Sequence, residues 1–94
     1  MTADELLQRY PRETLRWLRV RLGLTQLNLA LALGTDVASA SRWETGRLPI
    51  GPRNRARLVP LLAPELATDA GRAWLRTLGG ADDGADAVLG GAGC

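Results

Sequence analysis

The sequence predicts an all-α fold. Three observations carry that expectation. The chain is 46% hydrophobic but only 4% aromatic, with no Phe, so its core must be built mostly from Leu and Ala, which favour helices, while strand-favouring β-branched residues are scarce. Apolar residues recur at helical spacing, as in Leu15, Leu18 and Leu22. Helix-capping residues and terminating glycines alternate along the first half: Thr25 then Gly34, Asp36 then Gly46.

The elements follow in order. Thr2-Ala3-Asp4-Glu5 is a capping box that opens a short helix to about Tyr10. Pro11 ends it and serves as a first-turn residue for the next helix, over 12–22, which Gly23 closes. Thr25 caps a helix over 26–33, stopped by Gly34, and Asp36 caps another over 37–45, stopped by Gly46. Leu48-Pro49-Ile50-Gly51-Pro52 reads as a rigid loop, and 53–62 as a further helix. Pro64 is read as the start of a last helix to about Leu78, with Leu66, Ala70, Trp74 and Leu78 as its stripe and Gly79-Gly80 as its stop. The expected organisation is an N-terminal helical extension (1–11), a helical domain (12–78) and a flexible Gly- and Asp-rich tail (79–94).

With 94 residues the chain supports one small domain. The net charge of +2 hides an asymmetry. Residues 1–62 hold ten arginines against Asp4, Glu5, Glu13, Asp36 and Glu44; residues 63–94 hold Arg72 and Arg76 against five carboxylates. A basic front portion suits a polyanionic partner. The sole cysteine is Cys94 and there is no histidine, which excludes an intrachain disulfide, a zinc site and His-based catalysis. With no phosphate-cradling Gly-rich loop either, no enzyme, metal or cofactor is expected. No apolar run reaches membrane-spanning length and no signal-peptide pattern opens the chain, so a cytoplasmic location is expected.

The two short helices joined by Gly34-Thr35-Asp36 carry the pattern T-Q-x-x-L-A-x-x-L-G followed by W-E-x-G, supplied by Thr25, Gln26, Leu29, Ala30, Leu33, Gly34, Trp43, Glu44 and Gly46. This resembles the helix-turn-helix of the phage-repressor or XRE family over about residues 14–62. The resemblance implies a lambda-repressor-like bundle of about five helices, here with an extra short N-terminal helix. It implies that Ala30 marks a close helix crossing, that Leu29, Leu33, Ala40 and Trp43 face the core, and that Arg19 and Glu44 form a structural ion pair. Thr35 and Ala40 stand where the family often has larger apolar residues, a gap that Trp43 is expected to fill.

By the same resemblance, the outer face of helix 37–45 enters the DNA major groove, with Val37, Ala38, Ser41 and Arg42 at base-reading positions. Arg42 is the main candidate because its fork bonds guanine O6 and N7 together. Gln26, Ser39, Thr45, Arg47, Arg53 and Arg55 are expected at the DNA backbone. The implied activity is sequence-specific binding of double-stranded DNA, as an autorepressor acting as a homodimer on a palindrome. Leu66, Trp74 and Leu78 are the candidate dimer surface, or else complete the core. Leu27 and Leu31 stand where polar residues are usual. They either pack against residues 2–10 or meet a protein partner. The acidic tail is a second candidate for such a contact. The alternative function is therefore a protein-interaction module, such as an antitoxin or adaptor.

Overall fold

The structure, a computed structural model, describes residues 1–84. These residues form six helices and no strand: α1 (Ala3–Arg9), α2 (Pro11–Leu22), α3 (Gln26–Leu33), α4 (Val37–Thr45), α5 (Pro52–Leu66) and α6 (Asp69–Gly84). The all-α class is as the composition and periodicity predict.

Side-chain caps start α1, α3 and α4, and glycine caps end α2, α3 and α4, while Pro11 opens α2. In α1 the Thr2 hydroxyl accepts from the Glu5 amide at 3.1 Å while the Thr2 amide donates to the Glu5 carboxylate at 2.8 Å, so each of two otherwise unpaired backbone donors is satisfied by the other residue's side chain. Thr25 accepts from the Asn28 amide at 3.1 Å and Asp36 from the Ser39 amide at 2.7 Å, starting α3 and α4. Gly23, Gly34 and Gly46 end α2, α3 and α4 in the left-handed region, with φ of 67, 69 and 77°. There the amide one residue further on donates back to the helix, as Thr35 does to the Ala30 carbonyl at 2.9 Å. A side chain at these three positions would strain the backbone.

The described chain divides into two compact units, Met1–Pro64 and a second that begins at Glu65. In the first, α4 packs on α3 and α2, and α1 packs on α2. Its core is Leu6, Leu7, Leu15, Leu18, Leu29, Ala30, Leu33, Ala40, Trp43, Ile50, Leu58 and Leu62. Trp43 is the largest of these side chains.

Three expectations need correction here. Leu27 and Leu31 do not pack against residues 2–10; they are 54% and 68% exposed, because the apolar side chains of α1, Leu6 and Leu7, are buried where α1 packs on α2. Pro64 does not start a helix. Pro60 and Pro64 both lie inside α5, on its exposed side. Each lacks the N–H that would pair with the residue four positions back, Ala56 or Pro60, but those residues are also exposed and water can serve their carbonyls.

The break comes instead at Ala67-Thr68. In the second unit the Thr68 hydroxyl accepts from the Gly71 amide at 3.0 Å and caps α6, with acidic Asp69 in the first turn. A β-carbon on Gly71 would collide with the backbone of Glu65 and Leu66, so the tight entry to α6 requires glycine there. Leu66 therefore closes α5, and the more covered positions of α6 are Gly71, Trp74, Leu75 and Leu78, with Ala70 exposed. Finally, α6 runs past Gly79-Gly80 to Gly84. A helical glycine costs about 1 kcal/mol and does not by itself end a helix. The remainder of the Gly- and Asp-rich stretch, with Asp86 and Cys94, lies outside the described residues.

Candidate nucleic-acid interface

Helix α4 has two chemically distinct sides. Ala40, Trp43 and Glu44 are buried, at spacings that place them on one face. Val37, Ala38, Arg42 and Thr45 are exposed, and Ser39 and Ser41 half-exposed. Ala38, Ser41, Arg42, Thr45 and Arg47 together line a shallow open groove. It contains two guanidinium groups, two hydroxyl side chains and no carboxylate among the described residues. The Thr45 hydroxyl donates to the Arg42 carbonyl at 3.2 Å and keeps lone pairs for a further donor.

The helix is held rigidly at both ends. At its start, Asp36 caps the first turn. Its carboxyl is held below the usual range, chiefly by the bond from the Ser39 amide and then by the Ser39 hydroxyl, with the positive charge of Arg42 adding a smaller pull. At its end, Arg19 of α2 grips Glu44 through two bonds, Nε to Oε2 at 2.8 Å and Nη2 to Oε1 at 3.1 Å. The remaining arm of Arg19 donates to the Leu24 carbonyl at 3.1 Å, just ahead of α3. One guanidinium thus ties α2, α4 and the entry to α3 together. The Glu44 side chain is only 3% exposed, so removing Arg19 would leave a buried charge without its counterion.

The other candidate contacts fall in different places. Gln26 is the first residue of α3 and half-buried. Arg47 is exposed one residue beyond the glycine that closes α4. Arg53 is exposed at the start of α5, where it lines a second cleft with Leu31, Thr35, Asn54, Arg57 and Leu61. Arg55, also expected at the DNA backbone, makes its bonds within the protein. Its Nε donates to Asp4 at 2.9 Å and its Nη1 to the Ile50 carbonyl at 2.8 Å, so its guanidinium is spent inside the protein. Arg57 donates to the Leu33 carbonyl at 2.6 Å and so caps the end of α3. Leu66, Trp74 and Leu78 are all partly covered, but they do not share one helix.

Arg12 and Arg16 escaped the reading of the sequence. They flank a small notch with Glu13 and Glu44, and the aliphatic stem of Arg12 lies over Gly46. A signal for them was present: Arg12, Arg16 and Arg19 are spaced i, i+4, i+7, so the face that presents Arg19 to Glu44 presents the other two as well.

A short helix with a small-sided, basic outer face, capped at one end and pinned at the other, preceded by a second helix across a tight glycine turn, defines a DNA-binding helix-turn-helix. Comparison with protein families agrees: a model described as helix-turn-helix matches residues 15–54. That stretch belongs to the XRE-type helix-turn-helix family of DNA-binding regulators. Searches of curated proteins and of solved structures give no match. No helix among the described residues is long and apolar enough to cross a membrane, and no group of their Asp and Glu residues could hold a metal ion.

Proposed function

We propose that the protein is a sequence-specific regulator of transcription, a repressor that binds a palindromic operator as a homodimer, with α4 in the major groove. The observation that carries this reading is the groove of Ala38, Ser41, Arg42, Thr45 and Arg47 on the outer face of α4. Short side chains let the helix backbone come close to the base edges. Arg42 is the one long side chain on that face able to bond guanine in two places, and Val37 and Ala38 suit a thymine methyl. Ser39 and Ser41 serve base edges or phosphate. Gln26, Thr45, Arg47 and Arg53 supply backbone contacts that set register.

A single helix-turn-helix reads few bases, so two copies on half-sites roughly 34 Å apart are the natural arrangement. Helix α6, with Trp74, Leu75 and Leu78, and Leu66 before it, is the proposed dimer surface. Nothing in the reading calls for catalysis or a cofactor.

Fluorescence anisotropy on a duplex from the gene's own upstream region tests this. The expected result is binding that is stronger than to a scrambled duplex and weakens steeply with salt. Equal, weak binding to both duplexes, or none at low salt, would sink the proposal. One observation favours a second reading, a protein-interaction module: Leu27 and Leu31 form an exposed apolar pair one helical turn apart on α3. It would gain ground if no DNA bound.

A further inference from the structure

Helix α1 lies outside the family match, and so does Arg55, one residue past its end. The two are joined. Asp4 accepts from Arg55 Nε on one carboxylate oxygen, at 2.9 Å, and from the Gln8 side-chain Nε2 on the other, at 2.6 Å. Arg55 in turn donates from Nη1 to the carbonyl of Ile50, whose side chain is buried in the core. Ile50 closes the loop that leaves α4. The front of the same loop is fastened to α4 by the Arg47 and Leu48 amides, which both donate to the Arg42 carbonyl, at 2.9 and 3.3 Å. Arg47, one of the proposed backbone contacts, therefore sits on a loop held at one end by the reading helix and at the other by Arg55.

We infer that Asp4 and Arg55 form a specificity clamp: α1 holds Arg55 on the Ile50 carbonyl as a positioning residue for the Arg47 loop, and keeps its charge off the DNA backbone. The inference deepens the proposed function and rests on it. Its logic is electrostatic. An arginine at the start of α5 that was not so engaged would be another phosphate contact, and phosphate contacts raise affinity for all sequences alike. By engaging Arg55 internally, the protein forgoes one unselective contact and gains a fixed loop. The clamp has the geometry for this. Arg55 is 18% exposed, with two guanidinium nitrogens committed. Asp4 is set by the α1 capping box on one side and by burial of Leu6 and Leu7 on the other. The Arg55 bond is also the largest cause of the lowered proton affinity of the Asp4 carboxyl.

The test is Asp4→Asn in the full chain, with Asp4→Glu as the charge-retaining control. Anisotropy is measured over a salt series on the upstream duplex and its scrambled counterpart, beside thermal unfolding. For Asp4→Asn we expect the plot of log K against log salt on scrambled DNA to steepen by about one, the gain of one phosphate contact. The ratio of specific to non-specific affinity should narrow, and Asp4→Glu should return both towards the parent. A lower Tm with slope and ratio unchanged would make the bond a structural tie only and overturn the clamp. If the parent protein fails to tell the two duplexes apart, the proposed function falls. The clamp is then judged by NMR on the protein alone. Asp4→Asn must move the Arg55 Nε–H signal and speed amide exchange at Arg47, Leu48 and Ile50; unchanged signals and exchange would overturn it too.

Discussion

Helices α3 and α4 are nearly the same length and bury comparable inner faces, yet their outer faces share almost no chemistry. Inside, α3 places Leu29, Ala30 and Leu33, and α4 places Ala40, Trp43 and Glu44. Outside, α3 shows Leu27, Asn28 and Leu31, while α4 shows Val37, Ala38, Ser41 and Arg42. The inner faces answer to packing, so each is a short list of residues whose size or charge a neighbour has fixed. The outer faces answer to whatever they meet. Small, polar and basic side chains fit a groove of negatively charged DNA; paired leucines do not. The helix-turn-helix is thus one scaffold with two surfaces, and that of α4 is the one proposed to read DNA.

Substitutions on each side should break this contrast in order of size. Trp43→Ala empties the largest buried side chain, and the loss should be about 4 kcal/mol, read from the denaturant midpoint. A loss below about 1 kcal/mol would mean that the core is not organised around Trp43. Arg42→Ala should leave unfolding unchanged and weaken operator binding by about 1–3 kcal/mol, with relaxed preference at one base pair. Equal weakening on every sequence would make Arg42 a phosphate contact.

Acid should loosen the helix starts next. Asp4, Glu5 and Asp36 all have carboxyl pKa values lowered on folding: Asp4 chiefly by Arg55, Glu5 by bonds from Thr2, Asp36 by bonds from Ser39. A lowered value in the fold means stability that is complete above the unfolded value and lost as pH falls through the folded one. The fall in Tm should therefore begin as pH drops towards the ordinary values of 3.8 and 4.5 and continue below them. Asp36→Ala should remove part of that dependence, and a titration identical to the parent's would show that the cap does not contribute. The smallest effect belongs to the outer face of α3. Leu27→Ser with Leu31→Ser should shift stability by no more than about 0.5 kcal/mol and leave operator binding intact. A larger loss of stability would show that the pair is buried in solution, by a second copy or another protein.

Much of the front portion was legible because its signals are local. A side chain that accepts from the amide three residues on marks the starts of α1, α3 and α4, a glycine that tolerates a left-handed turn marks the ends of α2, α3 and α4, and Pro11 marks the boundary between α1 and α2. The register of the motif placed Arg42 on the outer face of α4 for the same reason. The back portion misled. Pro64 looks like a helix start, and only the solvent beside the carbonyls of Ala56 and Pro60 lets the helix continue through it. Thr68-Asp69, the cap that does start α6, was equally visible but weaker as punctuation than a proline.

By itself, the sequence determined the helical class and the tight turn at Gly34, since both follow from periodicity and capping within a few residues, and its resemblance to a known motif implied the division of α4 into an inner and an outer side. Tertiary structure alone decided which arginines have a charge to offer. Arg55 is paired with Asp4 and bonded to the Ile50 carbonyl, and one arm of Arg57 is bonded to the Leu33 carbonyl, whereas Arg42 and Arg47 line the exposed groove. It likewise decided that Leu27 and Leu31 stay exposed, because α1 spends its apolar side on α2. A charge or an apolar side chain is committed or available according to the partner that distant chain brings within about 3–4 Å, and no local pattern carries that information.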